Sequence, residues 1–302
     1  MDMKTEKTVY IARPHGVCGG VSHAIRIVEE ALLTADSPVW VLHELVHNDF
    51  LTAELVRRGV RFTEDLTEVP DGSVLIFGAH GVSSEMERIA AAKHLRVTDA
   101  TCPLVRKLQN AACEAVENGE KVLFFGHRGH PEVEGVMGRV PAGSLFLIEN
   151  AAGVAELPEL GDTPCRMLSQ TTLNTREIGE VFGLLKERFP QAREGLGACY
   201  ATTQRQEAVR KLSERVKNIF ILGSERSSNS RRLQEIASEN GAESILISGA
   251  ADLPLERLGG LAAVGISSGA SAPELLFDGV LEKLSEFGFT QRVTVSGDED
   301  EI

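Results

Sequence analysis

The chain has 302 residues, 42% hydrophobic and 25% charged, which suits a folded protein of about two domains and excludes a wholly disordered or collagen-like one. Asp plus Glu number 44 against 31 Lys plus Arg, and the resulting net charge of −13 excludes a general nucleic-acid binder, because phosphate neutralisation needs a basic surface. No run of 18 apolar residues marks a membrane span and the polar start MDMKTEK has no signal-peptide core; the odd count of five cysteines points to a reducing, cytoplasmic setting rather than a disulfide framework.

Aromatic residues contribute only 5%, so the core rests on Val, Ile, Leu and Ala, the composition of strands buried on both faces in α/β layers. Short apolar strands run repeatedly into polar, glycine-containing turns and then into amphipathic helices, an order that predicts parallel sheets. The first strand is TVYIA at 8–12, followed by the turn RPHGVCGG and a helix to about residue 33 with Val21, Ala24, Ile25, Val28 and Leu32 on one face. SVLIFG at 73–78 leads into AHGVSS and a helix near Ser84, where Ser84 and Glu87 have the spacing of a capping box. VTDA at 97–100 precedes TCP, with Pro103 suited to a first helical turn; KVLFF at 121–125 precedes GHRGHPE, and CRMLS at 165–169 precedes QTT. IFILG at 219–223 opens SERSSNS, and LAAVGI at 261–266 opens SSGASAPE and a last helix ending near 286. Asp298, Glu299, Asp300 and Glu301 form an acidic tail expected to be solvated. Every unusual cluster falls just past the C-terminal end of a strand, where open α/β sheets bind ligands.

Cys18, Cys102 and Cys199 each sit in such a turn, roughly a third of the chain apart. One cysteine per α/β unit can meet at a shared centre, and three thiolates on a 4Fe-4S cluster leave one iron open to bind an oxygen substituent. The alternative is three small buried apolar residues. Cys113 inside NAACEAV and Cys165 opening CRMLS read as core thiols, and no CxxC supports a zinc ribbon or a thioredoxin site. Histidines recur in the same turns: His43 and His47 in LHELVHN, His80 in GAHGV, His127 and His130 in GHRGHPE. His47, His80 and His130, at corresponding strand ends, offer donors to an anion; zinc is the competing use, and no HExxH supports it. Glu132 is either a helix-start carboxylate or a proton donor, with Glu134 the weaker candidate. Ser227, Ser228, Asn229 and Ser230 in SSNS, Ser271 in GASAPE, and Thr171 and Thr172 in QTTLN read either as ordinary caps or as a diphosphate cradle. Without a Walker A or GxGxxG loop, nucleotide binding by the usual loops is not supported.

Taken together, HELVHN, GAHGVS, DATCPLV, GHRGHPEVEG, QTTL, CYATTQRQEA, SSNSRRL and GASAPE resemble the motifs of the 4-hydroxy-3-methylbut-2-enyl diphosphate reductases, the LytB-type iron–sulfur enzymes that end the non-mevalonate isoprenoid pathway, over nearly the whole chain. The resemblance implies an α/β fold of three small parallel-sheet units in pseudo-threefold arrangement around a central iron–sulfur cluster. Their expected boundaries are 19–102, 103–198, and 1–18 plus 199–290, followed by a C-terminal strand and acidic tail at 291–302. It implies a 4Fe-4S cluster with three cysteine ligands, Cys18, Cys102 and Cys199, and one open iron. It also implies substrate contacts from His47, His80, His130, Thr171, Ser227, Ser228, Asn229 and Ser271, and proton delivery by Glu132 with Thr171 and His130. The implied reaction is reductive removal of the allylic hydroxyl, giving isopentenyl and dimethylallyl diphosphates.

The implied partners are that small diphosphate and an external one-electron donor such as ferredoxin or flavodoxin, with neither nucleic acid nor membrane. Arg13, His15 and Arg106, which flank Cys18 and Cys102 in sequence, are the expected basic patch for an acidic carrier. One departure is local: the family commonly has Asn-Pro-Arg and an aromatic residue ahead of the first cysteine, whereas this chain reads RPHGVC, with His15 and Val17. Two other readings stay open. A three-Cys dehydratase of quinolinate-synthase type would use an open iron without net reduction, though HPEVEG and SSNS speak against it. A non-enzymatic iron–sulfur redox sensor would need no diphosphate cradle.

Overall fold

A computed structural model describes residues 6–297. Strand β1 (Lys7–Arg13) and helix α1 (Gly19–Thr34) open the chain. A first series follows as β2 (Val39–Leu42), α2 (Asp49–Arg57), β3 (Arg61–Thr63), β4 (Val74–Phe77), α3 (Ser84–Ala92), β5 (Arg96–Asp99) and α4 (Pro103–Glu117). A second repeats the order with β6 (Lys121–Phe125), α5 (Pro131–Met137), β7 (Leu145–Ile148), β8 (Cys165–Ser169), α6 (Thr175–Arg188), β9 (Arg193–Glu194) and α7 (Tyr200–Arg215). The third has β10 (Asn218–Leu222), α8 (Ser228–Glu239), β11 (Glu243–Ile247), α9 (Leu255–Leu258), β12 (Ala263–Ser268), α10 (Glu274–Glu286) and β13 (Phe289–Ser296).

All the strand pairs are parallel, in three sheets ordered β3-β2-β4-β5, β7-β6-β8-β9 and β11-β10-β12-β1-β13. Parallel pairing requires crossovers, and the intervening helices supply them. The three sheets share one plan: in the third, the fourth position is filled by β1 from the start of the chain and β13 adds a fifth strand.

Two compact units divide the chain. One comprises Met1–Cys18, His47–Asp49 and Tyr200–Ile302 and contains the third sheet; the other comprises Gly19–Val46 and Phe50–Cys199 and contains the first two. The stretches 19–102 and 103–198 share a unit because α4 leaves the first sheet at Cys102 and packs on β6 and β8 of the second. Hydrogen bonds from Ser84 N–H to Gly138 O (3.2 Å) and from Arg139 Nε to Val82 O (3.0 Å) join them further.

Burial on both faces explains why the strands read as unbroken apolar runs. In the third sheet, Phe220 and Leu222 cluster with Phe277, Val280 and Leu284 of α10, while the alternate Ile219 and Ile221 cluster with Leu212 of α7 and Leu233 and Ile236 of α8. In the second, Val122 and Phe124 join Leu108 and Ala112 of α4, and Leu123 and Phe125 join Phe182 and Leu185 of α6. Each fully buried side chain of this size contributes about 1.5–3 kcal/mol, so the strand ends that carry the functional turns are firmly anchored.

Two sequence expectations change. Helix α3 is capped by Ser83, whose Oγ accepts from Met86 N–H at 3.3 Å, not by Ser84, and Glu87 pairs with Arg139 instead of closing a capping box. The last strand starts at Phe289, before residue 291, because Lys7 pairs with Phe289 at the head of β1. The acidic tail lies outside the described residues. Among the described residues no helix is long and apolar enough to cross a membrane.

Candidate active site

Three cysteine turns are built alike. Cys18 follows β1 and its N–H donates to Ala270 O beyond β12 at 2.9 Å; Cys102 follows β5 and donates to Ala79 O beyond β4 at 2.9 Å; Cys199 follows β9 and donates to Thr171 O beyond β8 at 3.0 Å. These are neighbouring strands in each sheet, so one backbone bond ties each cysteine turn to the functional turn beside it. Each cysteine immediately precedes a helix and is partly exposed. The thiolate is the form that ligates metal, and a partly exposed cysteine in a turn is placed to present it. Cys113 and Cys165 differ: Cys113 lies within α4 and donates to Arg139 O at 3.7 Å, Cys165 is buried in β8 and donates to Thr163 O at 3.2 Å, and burial raises both thiol pKa values. The chemistry of the three turn cysteines, and not of these two, fits an iron–sulfur centre.

In the unit that holds the first two sheets, His80, His130, Glu132 and Thr171 come together. His130 is the N-cap of α5, where its Nδ1 accepts from Glu132 N–H at 3.2 Å. The neutral ring therefore carries its proton on Nε2. The ring of His80 meets that of His130 edge-on with centroids 5.5 Å apart. The first turn of α5 carries Glu132 inward until it is 1% exposed. Thr171 N–H donates to Oε1 at 2.6 Å and Thr171 Oγ1 donates to Oε2 at 2.7 Å. Burial pushes the Glu132 pKa up to about 7, outweighing the lowering effect of the two Thr171 bonds. When protonated, the carboxyl carries its proton on Oε2, because Oε1 already faces an N–H donor.

Sequence reading passed over Gln170, which aligns this pair. It is fully buried, accepts from His127 N–H at Oε1 (3.1 Å), and donates from Nε2 to Thr172 Oγ1 (3.0 Å) and from its own N–H to Phe125 O (2.8 Å). The available signal was an amide side chain at the first position beyond an apolar strand. The weaker candidates have other work: Glu134 accepts from Gly129 N–H at 3.0 Å to close the turn, and the His43 ring faces Glu64 at 2.5 Å.

In the other unit SSNS opens α8, with Ser227 as the N-cap accepting from Ser230 N–H at 3.3 Å. Ser227, Ser228, Asn229 and Ser271 are all buried. Asn229 is 5% exposed, and its Nδ2 and Oδ1 have no hydrogen-bond partner among the described residues. An unsatisfied buried amide costs about 1–3 kcal/mol, so a polar ligand is its natural complement. Gly223 and Gly269 let the α8 N-terminus approach, since a Cβ at either would lie 2.2 or 2.1 Å from Ser230 Oγ. Ser271 Oγ donates to His47 O at 3.2 Å, while Asp49 pairs with Arg226 and accepts from Ser224 Oγ at 3.4 Å. The short His47–Asp49 segment is thereby tied to both serine loops.

The Cys18 turn in this unit is held by Ser268 Oγ, which accepts from Gly16 N–H at 2.7 Å, and by Arg205, whose Nη2 donates to Gly16 O at 2.8 Å. Arg205 was also missed; its signal is a charged residue four positions after Ala201 and four before Val209 on the buried face of α7. His15 stacks on Phe277 with ring centroids 4.0 Å apart, its Nδ1 lies 3.4 Å from Glu274 Oε2, and burial lowers its pKa. Arg106, in the other unit, is bound to Asp99, Thr101 and Gln109. Of the expected basic patch, only Arg13 stays exposed, because burial and ion pairing engage the other two.

Residues 9–285 match the family model described as "LytB protein". A 4-hydroxy-3-methylbut-2-enyl diphosphate reductase of Salmonella paratyphi A is 43% identical over 97% of this chain and 94% of its own length, and that of Salmonella typhimurium is 42% identical over the same shares. The solved structure of the Plasmodium falciparum E-1-hydroxy-2-methyl-but-2-enyl-4-diphosphate reductase superposes with a TM-score of 0.93 at 31% identity, covering 98% of this chain and 94% of that one. A second solved structure, of an (E)-4-hydroxy-3-methyl-but-2-enyl diphosphate reductase described as the terminal enzyme of the non-mevalonate pathway, has a TM-score of 0.69 at 32% identity, covering 93% and 99%.

Proposed function

The chain belongs to the LytB family, and from that premise we propose that it reduces 4-hydroxy-3-methylbut-2-enyl diphosphate, replacing the allylic hydroxyl with hydrogen at the expense of two electrons and two protons. Isopentenyl and dimethylallyl diphosphates and water are the products. The observation that carries this reading is the buried Glu132–Thr171 pair, a proton store of the kind that loss of hydroxide requires. The relatives named above are reductases, so the dehydratase and redox-sensor alternatives gain no support.

Membership of the family implies an iron–sulfur cluster. We assign it as a 4Fe-4S cluster held by Cys18, Cys102 and Cys199, which follow β1, β5 and β9, one strand from each of the three sheets. When bound, such a cluster supplies electrons one at a time and Lewis acidity at its open iron.

The remaining work falls to side chains of this chain. Ser227, Ser228, Asn229, Ser271, His47 and His80 bind the diphosphate, aided by the dipole at the N-terminus of α8, and so orient the hydroxyl end. In its acid form Glu132 donates from Oε2 to Thr171 Oγ1, which turns the threonine O–H toward the departing oxygen; His130 adds its Nε2–H. The electrons come from an external one-electron carrier such as ferredoxin or flavodoxin, since the chain has no flavin or nicotinamide motif. Five free cysteines suit a reducing cytoplasm.

Anaerobic purification with iron and sulfide analysis, followed by assay with a reduced viologen, tests the reading. About four irons per chain and consumption of the diphosphate to both isoprene products are expected. A cluster-loaded protein that leaves this substrate unchanged would refute it.

A further inference from the structure

We propose that Gln109 is a positioning residue that holds the His80 turn against the helix carrying Glu132, an inference that rests on the roles given to His80 and Glu132 above. Gln109 lies on the apolar face of α4 among Val105, Leu108 and Ala112 and is fully buried. A buried amide there is costly unless both ends are satisfied. Its Oε1 accepts from Arg106 Nη1 at 3.1 Å and its Nε2 donates to Val82 O at 3.4 Å.

Two glycines approach that amide closely. Gly81, next to His80 and at φ +72°, would place a Cβ 2.5 Å from Gln109 Nε2, and Gly135, one turn beyond Glu132 on α5, would place one 3.1 Å from it. A Cβ on Gly135 would also lie 3.5 Å from the Gly81 carbonyl, so the His80 turn, α5 and α4 meet closely around this amide, with Thr101 Cγ2 beside it at 3.1 Å from a Cβ on Gly81. Arg106 continues the contact to Asp99 and to Thr101 Oγ1 at 3.3 Å, directly ahead of Cys102. A shift of the amide therefore moves the backbone of His80 and that of the Glu132 helix together. Misplacing reacting groups by about 1 Å costs on the order of 10²-fold in rate.

A space-filling role and a positioning role separate cleanly here. Val82 O also accepts from Arg139 Nε at 3.0 Å, and Arg106 keeps Asp99, so removing the amide orphans neither partner. Gln109→Met keeps the volume and removes both hydrogen bonds; Gln109→Glu keeps an oxygen toward Arg106 and removes the donor to Val82. The experiment measures kcat, KM, melting temperature and calorimetric affinity for inorganic diphosphate in both variants and in His80→Ala. Both Gln109 variants should lower kcat/KM by about 10- to 100-fold and weaken diphosphate binding, with a melting shift no larger than about 3 °C. Wild-type kcat/KM in Gln109→Met, or in Gln109→Glu should the first variant not fold, would overturn the proposal. His80→Ala with undiminished diphosphate affinity would instead strike at the site reading, and the positioning role would fall with it.

Discussion

With its pKa raised from 4.5 to about 7, Glu132 keeps its proton in the folded chain at pH values where the unfolded chain has released it. The cost of burying the charge is absent near the unfolded value, grows as pH rises toward 7, and is complete above it, at most about 3 kcal/mol. Glu132→Gln removes that cost, so the melting temperature of cluster-free protein should exceed wild type at about pH 8 and converge with it at about pH 4.5. Equal differences at both pH values would rule out the buried charge as their source. In the loaded enzyme the same substitution should lower turnover about 10²- to 10⁴-fold while leaving KM within a few-fold, because only proton delivery is lost. His47→Ala and His80→Ala should raise KM more than they reduce turnover. The three variants losing substrate affinity alike would sink this division of roles. Among the thiols, Cys18→Ser, Cys102→Ser and Cys199→Ser should abolish iron content and activity, whereas Cys113→Ser and Cys165→Ser retain both; a folded Cys113 variant without iron would reverse the assignment.

Elements, rather than single residues, decide how closely α8 approaches its sheet. A Cβ at Gly269 would meet Ser230 Oγ at 2.1 Å but Ser230 Cβ only at 3.2 Å. Gly269→Ala should therefore cost about 1–3 kcal/mol through overpacking, and Ser230→Ala should restore part of it. Denaturant melts of wild type, both single variants and the double variant measure the coupling, expected at about 1 kcal/mol; additivity to within about 0.3 kcal/mol would show that the two do not touch. Strands flanked by glycine turns and chemistry-bearing residues, such as KVLFF and IFILG, were legible from sequence because they are buried on both faces. Strand β5 was legible as VTDA although it is exposed along its length, whereas β9 is exposed and two residues long, so pairing with β8 rather than local pattern makes it a strand. Ser83 displaced Ser84 as the cap because two adjacent serines look equivalent in sequence and only the backbone decides which hydroxyl reaches Met86 N–H.

At the scale of the whole molecule, the net charge of −13 opposes a polyanionic substrate at long range. On the proposed site roles capture is local, through serine, asparagine and histidine donors acting well inside the roughly 8 Å Debye length. KM for the diphosphate should change less than about twofold between roughly 0.05 and 0.3 M salt, and a steep rise over that range would mean that the global field governs binding. For the acidic electron carrier, stacking of His15 on Phe277 and pairing of Arg106 with Asp99 leave Arg13 as the exposed member of the expected basic patch.

Sequence alone determined the α/β order, the placement of chemistry beyond strand ends, and the residue types at Cys18, Cys102, Cys199, His130, Glu132 and Asn229, because apolar periodicity and turn composition are local properties of the chain. Tertiary structure decided which of those groups are buried and what faces them. Glu132 could have been a helix-start carboxylate; it becomes a neutral-pH acid only because α5 buries it against Thr171, a residue 39 positions away. Gln109, Gln170 and Arg205 gain their importance the same way, from backbone carbonyls and N–H groups contributed by distant turns, and no local pattern encodes such partners.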